Sequence, residues 1–163
     1  MNLFLPLKEV WFNMTKSGEK KEDYREITGY WCSRLLLHKG KHLPEKEWTL
    51  FLAEYFNPDD KESFVNFMVK HSVTTKPFSI NVMTLGYPKH LDYLKVVKYK
   101  HNGIEVGYGS PKWGAELNKI YFIIKHGEEI VICPSCNGTK TCLGEHIDDI
   151  KPCLTCNGKG TLN

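Results

Sequence analysis

Two near copies of one short motif constrain this chain most. Cys133-Pro-Ser-Cys136-Asn-Gly138 and Cys153-Leu-Thr-Cys156-Asn-Gly158 stand sixteen residues apart, a C-x2-C-x16-C-x2-C pattern. Two residues between cysteines let one tight turn aim both sulfurs at a single ion. A glycine two places later lets the chain fold back, so that backbone N–H groups can donate to those sulfurs. The spacing falls in the range of four-thiolate zinc sites. The tail around it has almost no apolar periodicity and cannot build a core of its own, so metal binding supplies its folding energy. One structural Zn²⁺ on Cys133, Cys136, Cys153 and Cys156 is the expectation. Cys142 and His146 are alternative ligands, and Cys142 reads better as a bystander. Cys32, far from the rest, reads as a small buried apolar residue.

Composition narrows the classes. The 163 residues are 41% hydrophobic and 25% charged, an ordinary balance for a folded domain with a small appendage. No apolar run reaches the roughly 18–20 residues of a membrane span, and Met-Asn-Leu-Phe-Leu-Pro-Leu has none of the parts of a secretory leader. Clustered CxxC pairs without an export signal point to metal binding in a reducing cytoplasm rather than to disulfides. The net charge of +3 is unevenly spread. Residues 127–163 hold three basic and five acidic residues, a net −2, which leaves +5 on the first 126. A polyanion would meet the front of the chain, and four thiolates around one zinc ion deepen the negative charge of the tail.

Periodicity predicts a short strand over residues 3–7, a helix from Lys8 to Ser17 stopped by Gly18, and a mixed-charge strand from Lys20 to Ile27. A short helix or turn at 30–38 buries Trp31, Leu35 and Leu36. Between Pro44 and Ser72 two apolar stripes, Trp48-Phe51-Leu52-Tyr55 and Phe64-Val65-Met68-Val69, flank Asn57-Pro58-Asp59-Asp60 and suggest a helical hairpin. Strands follow at 76–84, 91–100 and 119–125, with a short one at 129–132. The glycine-rich stretch 103–114 reads as a loop. The class is α+β, a small mixed β-barrel with an inserted helical pair and a C-terminal knuckle.

The run Gly18-x-Lys20-x-x-Asp23-x-Arg25 resembles the ASCH family, whose pattern here is Gly-x-Lys-x-x-Glu-x-Arg, with Asp23 in the place of the glutamate. Leu5-Pro6-Leu7, Lys76-Pro77-Phe78, Gly86-Tyr87-Pro88, Gly103-Ile104, Gly107, Gly109, Pro111-Lys112-Trp113-Gly114 and Tyr121-Phe122 extend the resemblance over about residues 1–37 and 75–131. The second knuckle, with Gly160, is similar to the CxxCxGxG repeat of the zinc domain in J-domain co-chaperones; the first has Lys140 where that glycine would stand. The family resemblance implies a PUA-like barrel domain over 1–131, with 44–72 inserted and the knuckle at 132–163. It implies RNA or nucleotide binding in a pocket with Lys20 and Arg25 as its central cations, in a bacterial host or phage-infected cell. Lys21, Tyr24 and Trp113 are the further ligand-binding candidates, Tyr87 and Tyr108 offer stacking faces, and the 103–114 loop serves as one wall.

Two other functions compete. Some ASCH members resemble amidohydrolases acting on acetylated cytidine, and nuclease activity is ascribed to others. Lys20 and Asp23 are the catalytic candidates, with His90 or His101 in support. Asp23 stands where the amidohydrolases have a threonine nucleophile, and a carboxylate replaces an alkoxide poorly in amide cleavage. The third function is a protein-interaction factor using the helical insertion and the knuckle, which exposed apolar side chains on 44–72, such as Trp48 or Phe56, would favour and a fully packed hairpin would count against.

Overall fold

The computed structural model describes residues 1–57, 60–88, 93–143 and 150–162. In chain order the elements are β1 (Asn2–Leu7), α1 (Glu9–Lys16), β2 (Glu22–Glu26), α2 (Gly29–Leu35) and β3 (Leu36–His38). Then come α3 (Glu45–Tyr55), α4 (Lys61–Lys70), β4 (Val73–Thr75), β5 (Ile80–Leu85) and β6 (Val96–Tyr108). The series closes with β7 (Ile120–Glu129), β8 (Thr141–Leu143) and β9 (Ile150–Pro152). This is the expected α+β class. Five strands form a mixed sheet in the order β1-β5-β6-β7-β2, with β1 parallel to β5; β3 pairs with β4 and β8 with β9. Among the described residues no helix is long and apolar enough to cross a membrane.

The chain divides into two compact units, and the long strands β6 and β7 contribute to both. The first comprises Met1–Lys21, Phe78–His101 and His126–Asn163. Its core follows from alternation on β1: Leu3, Leu5 and Leu7 are buried, while Asn2 and Phe4 point to the other face. Met83 of β5 and Val97 of β6 join the buried side, as do Phe12 and Thr15 of α1. The Tyr99 hydroxyl donates to the carbonyl of Thr15 at 2.8 Å and ties the helix to the sheet. The helix ends as expected. The Ser17 and Gly18 N–H groups close on Asn13 and Thr15, and Gly18 takes a φ of +75°, cheap for glycine alone.

The second unit comprises Glu22–Pro77 and Asn102–Lys125. Thr28 caps α2, its side chain accepting from the Trp31 N–H. Gly29 lets α2 lie against α3: a Cβ there would sit 2.1 Å from the Thr49 Oγ1 and 2.7 Å from the Glu45 carbonyl. The expected insertion does contain two helices, with Trp48, Leu52, Phe64 and Phe67 buried. Trp48 is fully buried, so it is not one of the exposed side chains that would favour a protein-interaction factor. Phe56 packs edge-on against Phe64 at 5.4 Å, and Phe64 meets Phe122 of β7 at 5.8 Å.

Three local expectations change. Residues 103–108 are strand, not loop, because pairing along β6 outweighs the weak strand preference of Gly103 and Gly107. Gly103 absorbs the irregularity with a φ of +100°. The strand expected from residue 76 begins at Ile80, and the one expected from 91 begins at Val96, after a 3₁₀ turn over Tyr93–Lys95. Trp31 is half-buried rather than core, whereas Leu35, Leu36 and Cys32 are fully buried.

Candidate metal centre

The two knuckles share one backbone course. Asn137, Gly138 and Lys140 have φ values of +49°, +77° and +75°; Asn157, Gly158 and Gly160 have +50°, +71° and +82°. Their hydrogen bonds repeat as well: Thr139 N–H to the Cys136 carbonyl at 2.8 Å, and Lys159 N–H to the Cys156 carbonyl at 3.0 Å. The copies also hold each other. Cys133 N–H donates to the Gly160 carbonyl at 3.0 Å, and Cys153 N–H donates to the Lys140 carbonyl at 2.8 Å. A short β8–β9 ladder joins the arms between them.

This reciprocal arrangement gathers all four thiols. Their sulfurs lie within 4.8 Å of one another, and each residue is at most 5% exposed. Cys133 and Cys153 are 3.8 Å apart at sulfur, Cys136 and Cys156 3.7 Å. A tetrahedron with metal–sulfur bonds of 2.3 Å has edges of roughly 3.8 Å. The cluster can therefore hold one metal ion, and both its spacing and its donor set suit zinc. Backbone dipoles prepare it for thiolate charge. Gly160 N–H donates to the Cys156 sulfur at 3.2 Å and Lys140 N–H to that of Cys136, where burial outweighs it and pushes the thiol up to about 11. Backbone N–H donation, led by Cys156, lowers the Cys153 thiol to about 6. Cys142, expected to be a bystander, packs half-buried against the cluster; its thiol donates to the Ser135 carbonyl at 3.8 Å and contacts Cys153. His146 lies outside the described residues.

The other candidates belong to different units. Lys20 and Lys21 close the first. Lys20 is buried, its ammonium 5.8 Å above the Trp11 ring, whereas Lys21 is exposed. Asp23, Tyr24, Arg25 and Trp113 belong to the second. Asp23 is buried on β2 opposite Ile124. On the other face of β2, Glu22 pairs with Lys125 at 2.5 Å and Glu26 with Lys119 at 2.6 Å. Tyr24 lies between them. Its hydroxyl donates to Glu22 at 2.7 Å and accepts from the Ser110 N–H at 2.9 Å, and its ring packs 5.8 Å from Tyr121. Burial first, then the bond to Glu22, pushes the phenol far above its ordinary value. Trp113 is half-buried in the 3₁₀ turn Pro111–Trp113, and its indole N–H has no hydrogen-bond partner among the described residues. Tyr87 and Tyr108 are exposed.

Arg25 occupies a setting that spacing alone did not reveal. Its guanidinium lies 4.8 Å over the Trp31 ring, and that of Arg34 lies 5.6 Å from the same ring and 5.5 Å from Tyr30. Tyr30 and Trp31 stand four and three positions before Arg34, the separations at which helix side chains meet, and this was the available signal. Lys76 donates to the Ser33 carbonyl at 2.7 Å in the last turn of α2, and burial and Arg34 hold its ammonium below the ordinary value. In the first unit, Asn81 is fully buried and bridges two imidazoles, 2.7 Å from His101 and 2.9 Å from His126. His101 is thus held in a packed network, and burial first, then His126, lowers its pKa. His90 lies outside the described residues.

No protein-family model, curated protein or solved structure matches this chain. What it can do chemically rests on the geometry above.

Proposed function

We propose that this chain is an ASCH-like, PUA-like module that binds RNA or a nucleotide, with the four-cysteine site as a structural zinc clip. The observation that carries this reading is the stacked arrangement on β2 and α2, where the Arg25 and Arg34 guanidiniums lie on the rings of Trp31 and Tyr30. Unpaired RNA bases are bound on aromatic faces and guanidinium planes, and the same cations serve phosphates. The +5 on the first 126 residues agrees with a polyanionic ligand at the front of the chain. A closed site of four buried thiolates leaves no open position for a substrate, which makes the zinc structural rather than catalytic.

The test is binding of zinc-loaded protein to single-stranded RNA, structured RNA and duplex DNA across a salt series, beside Lys20→Ala/Arg25→Ala. The double variant should bind RNA more weakly at every sequence. Its salt slope should flatten by about 0.7 for each phosphate that the protein no longer neutralises. Equal binding by the variant and the wild type would show that neither cation contributes to RNA binding.

A further inference from the structure

The face of the sheet opposite the first unit's core is partly covered and partly open. Register places Phe4, Val82 and Lys98 in one row across β1, β5 and β6. Val82 and Val96 are only 2% and 4% exposed although they face away from the core side, because the tail lies over them. A groove of about 320 Å³ remains beneath that cover. Phe4, Val82 and Val96 line one side. Ile132 and the first knuckle's turn, Asn137 to Thr139, line the other.

Of the groove's polar side chains, Thr139 is committed to the Cys136 carbonyl at 2.5 Å, whereas those of Lys98, Asn2 and Asn137 have no partner among the described residues. The next lysine on the same face of β6 is paired, Lys100 with Glu128 at 2.5 Å. Lys98 has no ion pair among the described residues, and its ammonium is the one charge among the groove's lining residues. The side chains of Asn2 and Asn137 at the rim likewise have no hydrogen-bond partner among the described residues. Phe4, on the same lining, is 46% exposed. An apolar cleft near 300 Å³ with a few convergent polar groups is the usual form of a small-molecule site.

We propose that this groove binds a small amphiphilic monoanion: a planar apolar body against Phe4, Val82 and Val96, and one carboxylate or sulfonate at Lys98. None of the groove's lining residues belongs to the proposed RNA surface. One of its walls belongs to the first knuckle, so zinc and the anion bind with positive coupling, each favouring the tail conformation that the other needs.

The probe is 1-anilinonaphthalene-8-sulfonate, a two-ring apolar body with one sulfonate, titrated into zinc-loaded full-length protein and followed by fluorescence. One saturable site is expected, about tenfold weaker in Lys98→Ala and blocked in Asn2→Trp, with zinc content and far-UV circular dichroism unchanged. Uncharged N-phenyl-1-naphthylamine should bind equally to the wild type and Lys98→Ala. Chelating the zinc should weaken the sulfonate. No binding to the zinc-loaded chain would overturn the proposal, as would binding indifferent to both substitutions, or fluorescence that rises on chelation.

Discussion

Gly160 and Lys140 occupy equivalent places in the two knuckles with nearly the same backbone, φ +82° and +75°, and this makes a matched pair of perturbations. In Gly160→Ala the new Cβ would stand 2.8 Å from the Gly138 carbonyl oxygen and 3.1 Å from the Lys140 Cγ. The lysine can swing aside, but the carbonyl belongs to the opposing turn and cannot. The left-handed backbone adds roughly 1–2 kcal/mol for any residue with a Cβ. Together these cost about 2 kcal/mol or more in the folded knuckle. On the proposed zinc clip, folding of the tail is coupled to the metal, so the penalty should appear in zinc affinity as about a thirtyfold weakening, at 1.4 kcal/mol per tenfold. Lys140→Gly removes the same strain from the other knuckle. The freer unfolded glycine offsets most of that gain, leaving roughly 0.5 kcal/mol and about twofold tighter binding. The double variant should recover only part of the affinity that Gly160→Ala forfeits, because the clash with the carbonyl stays. Competition against a chromophoric zinc chelator measures all three. Wild-type affinity in Gly160→Ala, or an equal weakening in Lys140→Gly, would refute the reciprocal packing of the knuckles.

Other residues give equally direct outcomes. Gly29→Ala forces α2 from α3 through the Thr49 and Glu45 contacts and should lower stability by about 1–3 kcal/mol in chemical denaturation, leaving zinc stoichiometry at one. Tyr24→Phe removes the bonds to Glu22 and Ser110 and should cost about 1–2 kcal/mol while RNA binding holds; unchanged stability would show the hydroxyl to be idle. His101 is held below its ordinary value of 6.5, so in acid the unfolded chain takes a proton that the folded chain refuses. Stability should therefore fall as pH drops below about 6.5, and His101→Gln should flatten that slope in urea melts repeated at stepped pH.

The tail was the most legible part of the chain, because a CxxC turn is a local object. Its spacing alone specifies which sulfurs can share an ion. The helices at 9–16, 45–55 and 61–70 were also legible from their stripes and caps. Residues 103–108 were misread as loop because glycine weakens a strand locally, while the segment is held as a continuation of β6 within the sheet. Trp48 has the same apolar character whether it faces a partner or a core, and only the folded packing decides that it is fully buried. The mixed-charge strand showed Glu22, Asp23, Arg25 and Glu26 as a set. It did not show that Glu22 and Glu26 pair with Lys125 and Lys119, some hundred residues on, while Arg25 turns to Trp31.

By itself, then, the order of residues determined the four-cysteine cluster, the α+β class and the two helices between residues 44 and 72, since each depends on spacing within a few turns of chain. Tertiary structure decided the rest. The Asn81 bridge between His101 and His126 and the groove under the first knuckle each join strands that sheet register sets side by side, and the Arg25 guanidinium reaches Trp31 across two elements. Register depends on which faces are buried together, a property of the folded chain that no local pattern records.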